Sequence, residues 1–523
     1  MSDNLRAALL LGALWPFAAH AQESAAPLSA IDWLSSTISA PAPNASVANT
    51  APPQNEPPIT GGIEPAQTIS TKVLGGPSLD SVGILPASST GFPRALWGET
   101  PAMDVAAAIG HMQTDALPAL QNLAVKLLLA EADAPMLRDP AHKGAVLLAR
   151  IDRLLAMGAL EQAYTLIEAA GPATNADLFR RAFDASLLMG EEDRACAKMR
   201  ATRGLDIAAP ARIFCAARAG DWAGAQLSLT TETALGRIDA HRAEMLGRFL
   251  DPDAFDDPQL PVPSPPITPL IWRIYDALGE TLPTRPLPIA FAHAEISPRT
   301  GWKARAEAAE RLASAGVLAP NQWLGIYTEE KPAASGGVWD RIAAFQAFET
   351  AMTAADFDAI SQTLPRAYAA MKSADLEVPF AALYGEALAQ MPLRGAAGDI
   401  GFELGLLSPA YETVALRAAA MPERAFLAGL AMGDVTNTVP MGALGRAVAA
   451  GFAPAASLPE EAQSMLSSGA VGMNILSAMS RIQTGVLGEM RAVTEGLAML
   501  RALGLEGIAR RTALELIILE RRG

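Results

Sequence analysis

Cys196 and Cys215 are the only cysteines of the 523-residue chain, and their positions would allow a disulfide bond. They fall in two predicted neighbouring helices, the second helix of one hairpin and the first helix of the next. In such antiparallel neighbours two Cβ atoms can approach to about 4 Å, as a disulfide requires. An oxidising compartment would favour the bond. The alternative is that both are small buried side chains on different helix faces, because free cysteine often belongs to a core.

The histidines show no spacing that is typical of a metal site. Four of them follow residue 21, and no two stand three or four positions apart: His111, His142, His241 and His293. The tripeptide His293-Ala294-Glu295 is similar to the start of a metalloprotease helix. Because no second histidine stands four residues after the first, an ordinary surface pair is the better interpretation.

An acidic group in a Pro-rich loop offers oxygen ligands of the kind that Ca²⁺ prefers. It consists of Asp251, Asp253, Asp256 and Asp257. The group lacks the glycine and the terminal glutamate of an EF-hand loop, so the sequence favours a solvated acidic turn. We predict neither a metal nor any other cofactor.

Motifs for a catalytic nucleophile or a phosphate-binding loop are missing from the sequence. It contains no G-x-S-x-G, S-x-x-K, G-x-x-x-x-G-K-[ST] or C-x-x-C pattern, and we predict a protein that is not an enzyme. Tryptophans, in contrast, could line a concave groove for a peptide or glycan strand. Five are candidates: Trp222, Trp272, Trp302, Trp323 and Trp339. The alternative is that they fill gaps between helices, since large aromatic residues are common in both settings.

The chain begins with the features of a secretory signal, which decides the predicted compartment. Arg6 precedes an apolar run over residues 7–19, and Ala19-His20-Ala21 has the small residues of a cleavage site. We predict cleavage after Ala21 and a periplasmic product, with secretion as the alternative. No cysteine stands at the cleavage point to accept a lipid, which argues against a lipoprotein. A buried N-terminal helix is the other interpretation of the apolar run.

The composition favours tightly packed helices. Half of the residues are apolar and only 6% are aromatic, with Ala and Leu prominent, and these two residues are strong helix formers. A formal charge of −15 argues against nucleic acid as a partner. Residues 462–480 carry no charge and approach the length of a bilayer-spanning helix. Their polar residues favour a buried pair of short helices instead, so we predict no integral membrane span.

Residues 22–95 form a Pro-, Ser- and Ala-rich segment with few charged residues. Prolines at this spacing prevent a sustained helix or strand, so the segment is predicted to be a disordered tether. Two apolar pieces within it, residues 30–34 and 82–97, could dock on a partner or on the folded part of the chain. The alternative is that they are incidental apolar residues in a linker.

A repeated Gly-Ala spacing runs through the helical part of the sequence. Glycine can end a helix by adopting a left-handed conformation, and an alanine five residues later lets the next helix approach closely. The spacing occurs at Gly158 and Ala163, Gly190 and Ala195, Gly220 and Ala225, and Gly504 and Ala509, with a variant around Ala354 and Ala359. Each unit is predicted to be a helical hairpin with one uncovered apolar side. Such hairpins should stack into a curved α-solenoid.

This spacing and a period near 30 residues resemble the tetratricopeptide repeat. The resemblance covers roughly residues 145–235 and the last thirty residues. It departs from the family pattern because the aromatic positions of the motif are mostly aliphatic here. It implies stacked hairpins that bind a protein. The Ala-rich helical pattern is also similar to that of the superhelical arm of periplasmic lytic transglycosylases. The sequence shows no sign of the catalytic domain that such an arm carries.

Composition shifts divide the chain into six predicted parts. They are a signal peptide (1–21), the tether (22–95), an N-terminal helical-repeat domain (96–250), a Pro-rich linker (251–270), a middle helical domain (271–452) and C-terminal helical hairpins (453–523). Together these features predict a non-enzymatic periplasmic scaffold that binds a protein partner in cell-envelope or motility-related assembly. The alternative is a peptidoglycan-handling enzyme or accessory subunit, which makes peptidoglycan a second candidate partner.

Overall fold

The computed structural model of the protein describes residues 78–519, apart from residues 172–174, 203–207, 258, 264, 281, 419–420 and 455. Over these residues the chain is helical, with no β-strand and two isolated bridges, Leu85 with Ala130 and Pro101 with Met136. The predicted all-α class is confirmed. None of the helices in this part combines the length and hydropathy that crossing a bilayer requires. The predicted signal peptide and the apolar piece 30–34 lie outside the described residues.

Eleven α-helices form the first half of the described chain. They are α1 (Ala87–Thr90), α2 (Ala102–Gly110), α3 (Pro118–Leu129), α4 (Ala145–Ala156), α5 (Leu160–Ala170), α6 (Ala176–Leu188), α7 (Glu192–Ala201), α8 (Ala209–Arg218), α9 (Trp222–Ala234), α10 (Ala240–Leu250) and α11 (Pro269–Ala277). Short 3₁₀ turns lie at Leu79–Ser81, Pro140–His142 and Pro252–Ala254. Pairs that are adjacent in sequence, such as α8 and α9, pack against each other as the predicted hairpins require.

Fourteen further helices complete the described chain. They are α12 (Ala292–Glu295), α13 (Trp302–Ser314), α14 (Pro320–Thr328), α15 (Val338–Thr353), α16 (Phe357–Lys372), α17 (Glu377–Gln390), α18 (Gly395–Leu407), α19 (Tyr411–Ala418), α20 (Ala425–Met432), α21 (Gly442–Gly451), α22 (Glu460–Ser467), α23 (Val471–Val486), α24 (Met490–Ala502) and α25 (Glu506–Ile518). Two more 3₁₀ turns lie at Ile289–Phe291 and Pro422–Arg424. Sequence neighbours again pack against each other, as α17 does with α18 and α23 with α24.

The four Gly-Ala units share one turn geometry. In each, one helix ends two residues before the glycine and the next begins two residues after it. The glycines have left-handed φ angles of 79°, 77°, 84° and 75° at Gly158, Gly190, Gly220 and Gly504. At the first turn the Gly158 N–H donates to the carbonyl of Leu155 and the Ala159 N–H donates to that of Leu154. This Schellman pattern satisfies carbonyls that the helix end would leave unpaired. The four paired alanines are buried.

Ala355 occupies the glycine position in the variant turn between α15 and α16. Its φ is 52°, and the Asp356 N–H donates to the carbonyl of Ala351 as in the other turns. An L side chain is strained there, so Ala355→Gly is expected to raise the free energy of unfolding by about 1 kcal/mol. Ala354→Gly, one residue earlier at a φ of −78°, is the matched control and should lower it. Urea unfolding measures both changes in free energy. A loss of stability in the Ala355 variant would show that the backbone at Ala355 is not strained.

Within the described ranges, the apolar side chains form three buried clusters. The first joins helices near the N-terminus of the described chain with α18–α25. The second fills the space among α12–α18, and the third lies among α6–α11. Since the first cluster contains both ends of the described chain, the stack of helices returns to its starting point. The predicted N-terminal domain (96–250) and C-terminal hairpins (453–523) therefore share one core, which corrects their division into separate units.

Helix α25 contacts α3 where the two ends meet. The buried Glu515 carboxylate accepts hydrogen bonds from the Ala119 N–H, with N···O distances of 3.1 and 2.9 Å. A negative charge at a helix N-terminus is favourable, because the first backbone N–H groups of the helix have no partner within it. Nearby, the Gly472 N–H at the start of α23 donates to the carbonyl of Leu96 (2.7 Å). Backbone and side-chain hydrogen bonds together join the two ends of the described chain. We call this contact the closure.

Glu515→Ala is expected to lower the free energy of unfolding by about 2 kcal/mol, since it leaves a buried N–H of α3 without an acceptor. Hydrogen exchange should accelerate first in α25 and at the start of α3. Glu99→Ala, at an exposed loop position, is the control and should stay within about 0.5 kcal/mol of the parent. Unchanged protection of α25 in the Glu515 variant would contradict the proposed closure.

The folded part begins earlier than the tether boundary at residue 95 predicts. Asp80 is buried and accepts hydrogen bonds from the N–H groups of Gly144 (2.9 Å) and Leu147 (3.0 Å) at the start of α4. The guanidinium of Arg150 donates to the carbonyl of Val82 (2.6 Å). Residues 78–95 thus pack on the helices, and the apolar piece 82–97 docks on its own chain. The sequence missed this boundary because the partners lie some 65 residues away.

The Pro-rich segment 251–270 is also placed differently from the prediction. It connects α10 with α11 and is held against them: the Tyr275 hydroxyl donates to the carbonyl of Pro261, and His241 donates to that of Val262 (2.8 Å). Helix α11 packs on α6 and α10 and contributes to the third cluster. The middle helical region therefore begins after α11 and not at residue 271.

Candidate binding cavity

The structure contains the Cys196–Cys215 disulfide, with a Cα–Cα distance of 5.1 Å. The two residues lie on α7 and α8, the second helix of one hairpin and the first of the next. Both are buried in the third cluster. The bond links the two hairpins. The chain between them includes residues 203–207, which are not among the described residues.

His111, His241 and His293 each contact a backbone carbonyl, and His142 lies near a carboxylate. Burial lowers the pKa of His293, so its ring is neutral at pH 7, and Nε2–H donates to the carbonyl of Gly158 (2.7 Å). His111 donates through Nδ1 to the carbonyl of Ala107 (2.7 Å). His142 lies 3.8 Å from Asp139 on the surface. Across the described residues no cluster of three or more His, Cys, Asp or Glu side chains could hold a metal ion. The acidic group at 251–257 lies in an exposed turn.

The five candidate tryptophans do not share one groove. Trp272, Trp302 and Trp323 are buried, and the indole N–H groups of the first two donate to the carbonyls of Leu282 and Ile326. Trp339 is half-buried and packs on Trp302, with ring centroids 5.0 Å apart. Trp222 is exposed on α9. Four of the five therefore fill gaps between helices, because that is where their large apolar surface is removed from water.

A cavity of about 370 Å³ opens where the first helices meet the middle helical region. We call it the junction cavity. Its lining comes from five separate segments of the chain: Thr114, Asp115 and Gln121; Ala156 and Met157; Pro288 and Ile289; Ser314 and Ala315; and Asp375. No sequence neighbourhood unites these residues, so only the packing of the helices creates the site.

Three helices direct their C-terminal ends at the junction cavity. Ala156 and Ser314 are the last residues of α4 and α13, and Asp375 lies three residues beyond the end of α16. Each end closes in a left-handed residue: Gly158, Gly316 and Asp375 itself, with φ of 55°. The C-terminal end of a helix carries about half a negative charge. The three ends therefore make the cavity electronegative.

The side chains around the junction cavity add to this potential. Asp115 and Asp375 contribute two carboxylates, and no Lys, Arg or His belongs to the lining. Thr114 and Ser314 contribute hydroxyls. Ala156, Met157, Pro288 and Ile289 form an apolar wall. The cavity thus combines hydrogen-bond acceptors with a surface that an aliphatic chain can cover.

Gln121 carries an unsatisfied acceptor in this lining. Its side chain is 7% exposed, yet Oε1 is buried without a hydrogen-bond donor. A Cβ on Gly316 would lie 3.7 Å from this oxygen. A buried amide oxygen without a donor is costly, which makes it a candidate contact for a bound group. Sequence reasoning missed Gln121 because a single glutamine on an apolar helix has no local signature.

Two other cavities lie at junctions between helices. One of about 240 Å³ is lined by four methionines, Met112, Met465, Met473 and Met479, between α2 and α22–α23. Another of about 500 Å³ has a mixed lining that includes Tyr164, Arg194 and His293. The Arg194 guanidinium lies over the Tyr164 ring at 4.4 Å, and its Nη1 donates to the Glu191 carboxylate (2.8 Å).

The sequence and fold were also compared with known proteins. Protein-family models, curated protein sequences and solved structures gave no match to this chain.

Proposed function

We propose that the protein is a non-enzymatic helical-repeat scaffold of the periplasm that binds a protein partner. One observation carries this proposal: the tetratricopeptide-like hairpins share the same glycine turn. They stack on one another, and cavities open at the junctions between them. Repeat stacks of this kind present extended binding surfaces without catalytic groups. Cell-envelope or motility-related assembly is the setting that we propose.

The buried acidic side chains support the non-enzymatic proposal, because their carboxylates are used in structural hydrogen bonds. Glu310 accepts from the hydroxyl of Tyr327 and from the guanidinium of Arg341 (2.5 Å). Asp152 accepts a bidentate pair of bonds from the buried Arg181. A general acid needs a carboxyl group free to transfer its proton to a substrate. These carboxylates instead stabilise neighbouring helices.

The disulfide supports the proposed compartment. Disulfides persist in oxidising environments such as the bacterial periplasm and are rare where glutathione and thioredoxin keep thiols reduced. The signal-like segment at residues 1–21 and the Cys196–Cys215 bond favour the same side of the membrane for different physical reasons.

Capture of partners from envelope extracts tests the proposal. The chain from residue 22 is compared with a variant that lacks residues 22–77, since residues 78–95 belong to the folded part. A partner held by both forms places recognition on the helices. A partner lost with the deletion places it in the N-terminal segment. The amount of each captured protein is measured at increasing extract concentration. If no protein binds saturably to either form, the scaffold proposal is refuted.

The enzymatic alternative has its own test, a zymogram on peptidoglycan with the purified chain. A cleared zone would contradict the non-enzymatic proposal. A lytic transglycosylase run beside it in the same gel verifies that the substrate can be cleaved.

A further inference from the structure

We propose that residues 30–34, Ala30-Ile31-Asp32-Trp33-Leu34, dock in the cavity of about 240 Å³ that four methionines line, with the Trp33 side chain inside it. We call it the methionine cavity, and it is defined by Met112, Met465, Met473 and Met479. Its occupant is thus a segment of the same chain that lies outside the described residues. This docking goes beyond the proposed function and is independent of it, because no partner protein takes part.

The methionine cavity presents apolar surface to water. Met479 is buried, whereas Met112, Met465 and Met473 are only half-buried. Methionine is unbranched and has a polarisable sulfur, so its side chain adapts to an apolar ligand and makes favourable contacts with aromatic rings. Apolar surface that is grouped in this way is typical of an interaction site. The wall of the cavity therefore suits an aromatic side chain.

The volume of the methionine cavity suits one large side chain. Sites for drug-sized ligands enclose about 300–1,000 Å³, and this cavity encloses about 240 Å³. Trp33 is the single aromatic residue among residues 22–77, and both Ile31 and Leu34 beside it are apolar. The segment thus offers the side chain that matches the cavity in size and polarity.

Gln483 supplies a polar contact in the lining of the methionine cavity. Its Nε2 donates to the carbonyl of Asp115 (3.2 Å), while Oε1 is buried and has no donor among the described residues. A buried acceptor without a donor is costly. An indole N–H is a donor, and buried tryptophans usually find an acceptor for it. We therefore expect Trp33 to donate to Gln483 Oε1.

The start of the described chain lies close to the methionine cavity. Asp80 accepts a hydrogen bond from Gly144 at the start of α4, and Arg153 of the same helix donates to the carbonyl of Ile109 (3.2 Å), beside the cavity at the end of α2. Gly144 and Arg153 are about 14 Å apart along the helix axis. Residues 35–77, which connect the segment to the described chain, can span roughly 140 Å at full extension. The connection is therefore long enough for the docking.

An interface within the described chain continues into the methionine cavity. Residues just before α2 pack on the first turn of α23, where the Gly472 N–H donates to the carbonyl of Leu96 (2.7 Å). A Cβ on Gly472 would lie 2.5 Å from the Trp97 ring, so glycine is needed for the indole to come this close. Met473, the next residue of α23, lines the cavity. Trp33 would extend the same interface by one more indole along this helix.

Methyl NMR on the chain from residue 22, with ¹³C-labelled methionine methyl groups, tests the docking. The ring current of a docked indole shifts the resonances of the methyl groups around it. Trp33→Ala is expected to move the resonances of the cavity methionines and to leave that of Met371, buried in the second cluster, in place. Trp222→Ala removes an exposed tryptophan and should move none of the cavity resonances. If Trp33→Ala moves none of them either, the proposal is overturned.

A synthetic peptide of residues 27–38, acetylated and amidated at its ends, tests the site in trans. Added to the Trp33→Ala chain, it should restore the cavity resonances to their parent positions in a saturable way. Met473→Gln is expected to weaken its binding about tenfold, since it places a polar amide in the apolar wall. Met441→Gln, at an 83% exposed loop position, is the control and should leave the affinity unchanged. Equal affinity in both variants, with unchanged melting, would overturn the assignment to this cavity.

A second pair of changes tests the contact between Trp33 and Gln483. The peptide with Trp33→Phe should bind about tenfold more weakly than the natural peptide, because it lacks the indole N–H. Gln483→Met removes the acceptor and should make the two peptides bind with about equal affinity. A difference that persists in the Gln483→Met chain would show that the indole donates elsewhere and would overturn this placement of Trp33.

Dilution shows which chain supplies the segment. A tethered segment has an effective concentration that does not depend on the concentration of the protein. The cavity resonances of the parent chain should therefore keep their positions on about tenfold dilution. Shifts that change on dilution would assign the segment to a second copy of the chain and overturn the docking within one chain. None of these outcomes depends on capture of a partner, so they leave the test of the scaffold separate.

Discussion

Arg150→Met is expected to lower the free energy of unfolding by about 4 kcal/mol. The Arg150 side chain is buried and donates to three backbone carbonyls, those of Leu128 (2.6 Å), Val82 (2.6 Å) and Ala130 (2.8 Å). Burial lowers the pKa of Arg150 to about 10, so the group remains charged at pH 7. Methionine fills similar space but leaves these carbonyls without donors, and each unmade buried bond is costly.

The loss should appear first in the segment that Arg150 holds. Residues 78–91 precede α2 and are joined to the helices by Arg150 and Asp80, so limited proteolysis should cut there sooner in the variant. Urea unfolding gives the change in free energy. Arg138→Met removes an exposed arginine and should change stability by less than about 0.5 kcal/mol. If the two variants unfold at the same urea concentration, the role assigned to Arg150 is wrong.

Removing the disulfide is expected to cost roughly 3 kcal/mol. The bond joins residues 19 positions apart, and closing a loop of that size restricts the unfolded chain by about this amount in the chain-entropy model. The double variant Cys196→Ala, Cys215→Ala measures the cost by urea unfolding under oxidising conditions.

Reduction distinguishes the contribution of the disulfide bond to stability from the contribution of the buried packing of the two side chains. Dithiothreitol should lower the stability of the parent toward that of the double variant and leave the variant unchanged. Equal stability of the oxidised and reduced parent would show that the cross-link contributes nothing. A variant far less stable than the reduced parent would assign the loss to packing, because both cysteines are buried in the third cluster.

Local spacing predicted the turns well because their physics is local. A left-handed residue ends a helix through hydrogen bonds that span at most five residues, so Gly158 and Gly190 can be recognised from their immediate neighbours. The same logic placed the left-handed residue of the variant turn at Ala354, one position too early, and gave no sign of the turn at Asp375. Ala355 and Asp375 have left-handed φ without being glycine, and the surrounding helices must compensate for the strain.

The placement of the large aromatic residues could not be decided from the sequence. Trp222 and Trp323 both stand in helices, yet one is exposed and the other is fully buried. Which face of a helix is covered depends on the helices that pack against it. For the same reason, residues 78–95 resemble a linker in composition but are folded through a buried arginine far along the chain.

The sequence by itself determined the all-α class, the hairpin turns and the proximity of Cys196 to Cys215, because helix propensity, glycine conformation and short loops act over a few residues. Only the tertiary structure decided that the two ends of the described chain share a core and that five separate segments enclose the junction cavity. Those contacts join residues hundreds of positions apart, and the burial and charge that stabilise them do not exist until the helices have packed.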